Sequence, residues 1–220
     1  MTAVADPIWR PYTQHATSAS PILIEKASGA TLHAKDGRRI FDAVSSWWVT
    51  LHGHAHPRIA AAVARQAAVL EQVLFASFTH EPAERLSAAL LAKAPKGLGR
   101  VFYSDDGSTA VEVAVKMAVG YWSRRGQRRP LIVALEDAYH GDTFGAMSVS
   151  ARGAFTADYG QMLFEVRRVP WNDSAALERL LEAEGERVAE MIVEPLVLGA
   201  GGMLMYPPAV LKAFREPCAR

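Results

Sequence analysis

The sequence predicts an α/β protein built around a parallel sheet. Two observations indicate this fold class: from residue 100 onwards, short apolar runs alternate with helical patterns, and the runs are apolar almost throughout. Strands of that kind, alternating with helices, are typical of a parallel sheet that is covered on both faces. The predicted strands are RVFYS (100–104), LIVAL (131–135), FEVRRV (164–169) and EMIVEP (190–195).

The segments between these runs carry the helical pattern. Residues 108–122 form a strongly apolar helix, and residues 173–188 show apolar positions at amphipathic helical spacing. Helical character also returns near TFGAMSVS (143–150), and a last helix follows Pro208. A four-stranded sheet that stops after this helix predicts an incomplete α/β fold.

The first part of the chain has a different pattern. After an irregular start to about Ser20, residues 21–44 predict a β-meander, with turns at Ser28-Gly29 and Asp36-Gly37. Helices are expected from Pro57, with Ile59, Val63, Ala67, Leu70 and Val73 or Leu74 on one face, and from Pro82 to Ala94. We divide the chain into an N-terminal segment, 1–60, and the first portion of a larger domain, 61–220.

Composition excludes several classes of protein. The formal net charge is +1 over 220 residues, which argues against a dedicated nucleic-acid binder. The basic run SRRGQRR (123–129) is better explained as a solvated helix end. A single cysteine, Cys218, indicates a reducing compartment, and neither a secretory signal nor a membrane span is present in the pattern, so a cytoplasmic protein is expected.

YSDDGSTAVEV (103–113) is the first candidate site. A predicted strand ends, a glycine turns the chain, and Ser108 begins a helix, whose first amide groups and dipole favour a phosphate. The alternative is an ordinary N-cap, since Asp and Ser cap helices in many proteins. Asp105 and Asp106 argue against an anion unless their side chains point elsewhere.

Three further motifs supply candidate ligand contacts. DAYHGDTFGAMS (137–148) places Tyr139 and His140 at the carboxyl edge of the predicted sheet, where α/β folds bind ligands. SSWWVTLHG (45–53) holds adjacent tryptophans, which on an extended segment face opposite ways, so that one can pack in the core while the other lines a cleft. VEPLVLGAGGM (193–203) ends a strand at Glu194 and continues into glycines. Each has a structural alternative, as a turn or as core packing, but together they predict a cleft for a phosphate-bearing ligand.

HGHAHP (52–57) raises the question of a metal site. His52, His54 and His56 alternate, but no cysteine or carboxylate cluster accompanies them, and a zinc site needs further ligands. We predict no metal and interpret the segment as the start of the helix at Pro57.

Five segments carry a family resemblance: WRPYTQ (9–14), DAVSSWWVTLHGHAHPRI (42–59), YSDDGSTAVEVAVKMA (103–118), YHGDTFGAMSV (139–149) and EPLVLGAGGMLMYPP (194–208). The chain resembles the class-III aminotransferases, which are pyridoxal-phosphate enzymes of fold type I. The segments 9–14, 45–48 and 139–149 are most similar to those members that serve biotin synthesis.

The resemblance implies a set of roles. Gly107 and Ser108 would bind the cofactor phosphate, and Tyr139 would stack on the pyridine ring and border the substrate. Tyr12 and Trp47 would line the substrate pocket, and Glu194 would lie near the cofactor. The implied cofactor is pyridoxal 5'-phosphate, the implied substrates are S-adenosylmethionine and 8-amino-7-oxononanoate, and the full-length relatives are homodimers.

The resemblance also shows what is missing. In the family, the aspartate that contacts the pyridine nitrogen and the Schiff-base lysine lie beyond the residue that matches the end of this chain, so we expect no catalytic residue within it. Lys116 is better explained by a surface ion pair with Glu112 four residues earlier. Three hypotheses stay open: the N-terminal half of a biotin-pathway aminotransferase, a truncated inactive remnant that binds cofactor or a partner, and an aminotransferase for another ω-amino acid or diamine. As an isolated fragment the chain should expose apolar surface and tend to aggregate.

Overall fold

The computed structural model describes residues 7–219, which divide into two compact units. The first unit runs up to Lys93 and the second begins at Ala94. The boundary at 60/61, which the sequence suggests for the domains of a longer fold, stays a prediction.

The first unit contains the predicted meander. Strands β1 (Ile24–Ser28), β2 (Thr31–Ala34) and β3 (Arg39–Phe41) pair antiparallel in that order. Gly29 and Gly37 turn the chain between them at φ values of 55° and 91°, a region that glycine occupies without steric cost. The meander and both of its turns are therefore confirmed.

Two helices complete this unit, α1 (Pro57–Ala67) and α2 (Glu81–Leu91). The ring of His80 caps α2 by accepting a hydrogen bond from the amide of Ala83 at 3.2 Å. Helix α1 ends at Ala67, so the last residues of its predicted apolar face lie outside it. Neither helix buries any residue, and large apolar side chains on both are exposed: Ile59, Val63, Leu86 and Leu90. The predicted exposure of apolar surface is thus observed.

The second unit is built on a parallel sheet of order β5-β4-β6. Its strands are β4 (Leu131–Leu135), β5 (Val166–Val169) and β6 (Val188–Ile192), and every residue of the central β4 is buried. The predicted strand at 100–104 is wrong, because these residues adopt no strand. A strand needs a hydrogen-bonded neighbour, and the described sheet offers RVFYS none.

Helices cover both faces of this sheet. They are α3 (Gly107–Arg124), α4 (Phe144–Val149), α5 (Ser174–Glu184) and α6 (Pro208–Arg215), with 3-10 turns at Ala157–Met162, Gly185–Arg187 and Pro217–Ala219. Alternate residues of β4 join different cores: Leu131, Val133 and Leu135 pack with Leu177 and Phe214, whereas Ile132 and Ala134 pack with Val115 and Val149. This alternation confirms the predicted sheet with two covered faces.

Two details differ from the predicted pattern. The stretch after β6 forms a small hairpin, β7 (Val197–Leu198) and β8 (Leu204–Met205), where only a loop was expected. The basic run does end a helix, at Arg124, but Arg129 is not simply solvated. Its guanidinium lies 3.8 Å from the centre of the Trp122 ring.

Within residues 7–219, no helix is both long and apolar enough to cross a membrane.

Candidate functional site

The turn before α3 is both a cap and a potential anion site. The side chain of Asp106 accepts a hydrogen bond from the Thr109 amide at 2.8 Å, and the Thr109 hydroxyl accepts one from the Asp106 amide at 3.1 Å. This capping box satisfies the third amide of the helix, whereas the first two, of Gly107 and Ser108, have no intrahelical acceptor. The expected N-cap is therefore real, and two amides suited to a phosphate remain beside it.

The loop after β4 contacts this turn closely. Gly141 has φ 127°, and a Cβ atom built there would lie 2.1 Å from the Ser108 hydroxyl oxygen, so no larger residue fits. The amide of Asp142 donates to the same oxygen at 3.2 Å. The structure therefore brings Ser108 and the Tyr139 loop together, although the two are about thirty residues apart in the sequence.

Tyr139 is held at both ends. Its amide donates to Glu194 Oε1 at 2.7 Å, and its hydroxyl donates to Asp142 Oδ2 at 2.7 Å. The side chain is nevertheless 42% exposed, which leaves ring surface available. A planar ligand with a phosphate bound at the start of α3 could use that ring as a stacking surface.

Glu194 connects this loop with the hairpin. Its second carboxylate oxygen accepts the Gly199 amide at 2.9 Å, and its carbonyl accepts the Tyr206 hydroxyl at 2.5 Å. A Cβ atom at Gly201 would lie 2.0 Å from the carbonyl oxygen of Asp137, which shows how closely the two loops approach. The loops that follow β4 and β6 thus meet at the carboxyl edge of the sheet, as the motifs predicted.

Glu112 has a role other than the predicted ion pair with Lys116. Its Oε1 atom accepts hydrogen bonds from the amides of Gly145 at 2.6 Å and Ala146 at 3.3 Å, in the first turn of α4. The prediction was wrong because helical spacing cannot show that another helix start lies against this face of α3. The contact fixes α4 directly after the Tyr139 loop.

His140 is a partly buried residue of the same loop. Burial lowers the pKa of its imidazole, and the nearby charge of Glu194 only partly opposes this effect. Its amide donates to the Ser150 hydroxyl at 2.8 Å, whereas its Nε2 atom has no hydrogen-bond partner among the described residues. A neutral ring is therefore favoured at this position.

A second group of predicted residues lies in the first unit. Tyr12 and Trp47 pack edge to face, with ring centres 5.8 Å apart, and both are more than half exposed. The segment around Trp47 was expected to be extended, but the structure differs. Residues Ser45–Trp48 form a single left-handed helical turn, with φ between 48° and 67° at all four residues. Left-handed backbone costs about 1–2 kcal/mol per non-glycine residue, so other contacts must stabilise this turn.

The adjacent tryptophans also differ from the expectation that one is buried. Trp47 is 66% and Trp48 49% exposed. The error follows from the assumed extended backbone, because a helical turn does not place successive side chains on opposite faces.

The three alternating histidines do not act together. His54 pairs with Asp42 at 2.7 Å, whereas the rings of His52 and His56 contact each other with centres 6.2 Å apart. His56 is the residue before Pro57, so the predicted start of a helix is confirmed. Across residues 7–219, no group of three or more potential metal ligands is found.

Several contacts at these sites were not expected from the sequence. Asp142 accepts the Tyr139 hydroxyl with its carboxylate and donates its amide to the Ser108 hydroxyl. Beyond the place of Asp142 in YHGD, the sequence carried no signal for these contacts. Asp42 and Glu112 gave none either, since their partners are 12 and 33 residues away. The glycine at 141 was the available clue, because glycines in such loops often permit close approach.

Comparison with known proteins agrees with this architecture. The aminotransferase class-III family model matches residues 12–220. The chain is 50% identical to the adenosylmethionine-8-amino-7-oxononanoate aminotransferase of Synechococcus elongatus over 93% of its own length and 51% of that protein. It is 36% identical to the enzyme of the same name from Geobacter sulfurreducens, with 97% and 52% covered.

Solved structures give the same picture. The crystal structure of the adenosylmethionine-8-amino-7-oxononanoate aminotransferase from Methanocaldococcus jannaschii superposes with a TM-score of 0.90 at 33% identity, covering 96% of this chain and 50% of that one. An amine transaminase from an uncultivated Pseudomonas species, solved in its PLP-bound form, gives a TM-score of 0.83 at 28% identity, with 98% and 54% covered.

These matches also show how much of the relatives' length the chain covers. It spans about half the length of the curated relatives that it matches. The predicted aminotransferase fold is confirmed in this partial form. The chain belongs to the class-III aminotransferase family.

Proposed function

We propose that this chain provides the N-terminal half of a pyridoxal-phosphate aminotransferase that converts 8-amino-7-oxononanoate to 7,8-diaminononanoate with S-adenosylmethionine as amino donor, in biotin synthesis. The observation that carries the proposal is the contact of the Tyr139 loop with the start of α3, through Gly141 and the Asp142–Ser108 hydrogen bond. The names of the relatives support the substrate pair.

The residues at this contact fit the cofactor. The amides of Gly107 and Ser108 would bind its phosphate, and a Cβ atom at Gly107 would meet nothing within 4 Å, so the approach to these amides is open. The carboxylate of Asp106 is engaged by the Thr109 amide, which addresses its predicted conflict with an anion. When bound, pyridoxal phosphate supplies an electron sink for proton removal at the substrate carbon.

The residues of this chain would orient the ligands. The Tyr139 ring would cover one face of the cofactor, with the Glu194 and Asp142 contacts fixing its position. Tyr12, Trp47 and Tyr139 would border the substrate, and the complete protein would be a homodimer. A cytoplasmic location follows from the same assignment.

The lysine that transamination needs is not in the segments that build this site, 103–113, 137–148 and 193–203. We therefore assign the activity to a polypeptide that also carries the C-terminal half of the family. The competing function is a truncated remnant that binds cofactor or a partner without turnover. Sequencing the reading frame past Arg220 separates the two: a following strand with an aspartate and a later lysine turn would support the enzyme, and a stop codon would support the remnant.

The cofactor proposal is tested on the longer polypeptide by absorbance with added pyridoxal phosphate. Ser108→Ala keeps the backbone amide but removes the hydroxyl that accepts the Asp142 amide, so it should weaken cofactor binding by loosening the Tyr139 loop against the start of α3. Tyr139→Phe should retain cofactor binding and slow the half reaction with the keto acid about 5- to 13-fold, as expected for a lost hydrogen bond of about 1–1.5 kcal/mol. Tyr121→Phe is the matched control, because Tyr121 is similarly exposed, at 51%, and its described side-chain contacts are with Trp122 and Arg125, outside the site segments. A wild-type protein that binds no cofactor would refute the proposal.

Substrate identity needs a separate experiment, since other class-III members use other amines. Adenosylmethionine, alanine and ornithine should be compared as donors, with 8-amino-7-oxononanoate and pyruvate as acceptors. Amino transfer from adenosylmethionine is the expected result. Activity with the other donors alone would identify the protein as an aminotransferase for a different ω-amino acid or diamine.

A further inference from the structure

The left-handed turn Ser45–Trp48 is closed by its own backbone. The Trp48 amide donates to the Val44 carbonyl at 2.9 Å, and the Val49 amide donates to the Ser45 carbonyl at 3.0 Å. These hydrogen bonds would form equally well in a right-handed turn, so they do not explain why this turn is left-handed. Four successive non-glycine residues at positive φ require a constraint from outside the turn.

Asp42 provides such a constraint. Its Oδ2 atom accepts a hydrogen bond from the Ser46 hydroxyl at 3.0 Å and lies 2.7 Å from His54 Nε2. Asp42 therefore contacts both the middle of the turn and the segment that follows it. The pair is well shielded, with side-chain exposures of 8% for Asp42 and 17% for His54, unlike the exposed ion pair of Asp36 with Arg38 in the same meander.

The position of His54 is fixed independently by the meander. Its amide donates to the Gly29 carbonyl at 2.8 Å, and its carbonyl accepts the Gly29 amide at 3.1 Å. Next to it, Gly53 has φ 82°, and a Cβ atom there would lie 3.0 Å from the Cα of Gly29. The hydrogen bond from His54 also holds the pKa of Asp42 below its ordinary value, so the carboxylate stays charged at neutral pH.

We propose that Asp42 and His54 form a positioning pair that fixes the left-handed turn and thereby sets the orientation of Trp47 toward a small-molecule substrate. The pair joins the backbone hydrogen bonds between Gly29 and His54 to a strained turn that contains the exposed Trp47. Neither residue is a catalytic group in this arrangement. The substrate-facing role of Trp47 rests on the proposed function, whereas the control of the turn does not.

The control of the turn is tested on this chain by circular dichroism. Adjacent indole rings in a fixed arrangement give an exciton couplet, and Trp47→Phe and Trp48→Phe identify the part that comes from this turn. Asp42→Ala and His54→Ala should each remove more than half of that part. The double variant should remove little more than Asp42→Ala alone, because the Asp42 change already breaks the contact with His54. Asp36→Ala is the matched control and should leave the couplet unchanged.

Milder variants guard against a general loss of folding. Ser46→Ala removes only one of the contacts of Asp42 and should reduce the couplet partly, and the urea transition of the second unit should be unaltered in all variants. An unchanged couplet in Asp42→Ala or in His54→Ala, or a double variant that loses markedly more than Asp42→Ala alone, would overturn the pair.

The functional consequence is measured on the polypeptide that includes the C-terminal half. Asp42→Ala should raise KM for the keto acid several-fold while kcat and cofactor absorbance change less, as in Trp47→Phe. A normal KM with a lost couplet would overturn the substrate-facing role. A wild-type protein without cofactor binding would refute the proposed function and leave the structural pair to be judged by the couplet.

Discussion

The two units of this chain are stabilised in different ways. In the second unit, apolar side chains from the sheet and its helices form two buried clusters on opposite faces of β4. In the described part of the first unit, Ala34 is the only buried apolar residue, and its helices bury none. The first unit instead depends on strand pairing, glycine turns and shielded polar contacts such as Asp42–His54.

The second unit therefore has a buried apolar core, whereas the two helices of the first unit expose their apolar side chains. Burial of apolar area is the main source of folding free energy, so the second unit should resist unfolding far better than the first. The exposed apolar faces of α1 and α2 are of the kind that associate with other protein surfaces. Paired substitutions, with one member in each unit, test this contrast.

The largest contrast is expected for two helical leucines. Leu177 on α5 is 0% exposed and Leu86 on α2 is 50% exposed. Leu177→Ala should lower the free energy of unfolding by about 2–5 kcal/mol, because it creates a cavity in the core. Leu86→Ala should cost less than about 1 kcal/mol. Urea denaturation of both variants measures the contrast, and equal losses would contradict it.

Two helical glutamates give the next contrast. Glu112→Ala leaves the amides of Gly145 and Ala146 without their acceptor, which should cost about 1–3 kcal/mol. Glu84→Ala, on the exposed face of α2, should change stability by no more than about 0.5 kcal/mol. The same urea experiment applies, and a neutral Glu112→Ala would show that the observed contacts contribute little.

The stability of the second unit should depend on pH, because that unit contains His140. Its folded-state pKa lies below the ordinary 6.5, so the unfolded chain takes up the proton first and stability falls as pH decreases below that value. The urea midpoint of the second unit should therefore drop between neutrality and about pH 5, within the range where histidines titrate. His140→Gln should flatten this dependence, whereas His52→Gln, in the exposed loop of the first unit, should preserve it. An identical slope in both variants would exclude His140 as the cause.

The smallest contrast involves two arginines. Arg129 lies over the Trp122 ring, so Arg129→Lys should cost about 0.5–1 kcal/mol through loss of planar stacking. Arg38, whose ion pair with Asp36 is exposed, should tolerate lysine with no measurable loss of stability. Thermal unfolding with several replicates can resolve the two, and a larger effect at Arg38 would reverse the expectation.

The success of the sequence predictions depends on whether the signal is local in the chain. Helix α3, helix α5 and strand β4 were predicted near their observed bounds, because apolar periodicity and caps act within a few residues. The predicted strand at 100–104 failed, since its composition is suitable but pairing depends on a neighbour. The hairpin β7–β8 was missed because two-residue strands leave no periodic signal.

For the candidate site, the sequence predicted that certain segments adjoin, but not their detailed geometry. Gly107 and Ser108 begin helix α3 beside the Tyr139 loop, and Tyr12 does contact Trp47. The left-handed turn was not foreseen, because Ser and Trp have no preference for that conformation and only the surrounding contacts enforce it.

By itself, the sequence determined the class of fold, the order of its helices and strands, the meander turns and the motifs that identify the family. All of these depend on residues close together in the chain. Only the tertiary structure decided that Gly141 contacts Ser108, that Glu112 binds the start of α4, and that Asp42 and His54 fix the turn before Trp47. Such contacts join distant residues, and their partners are set by how the whole backbone folds.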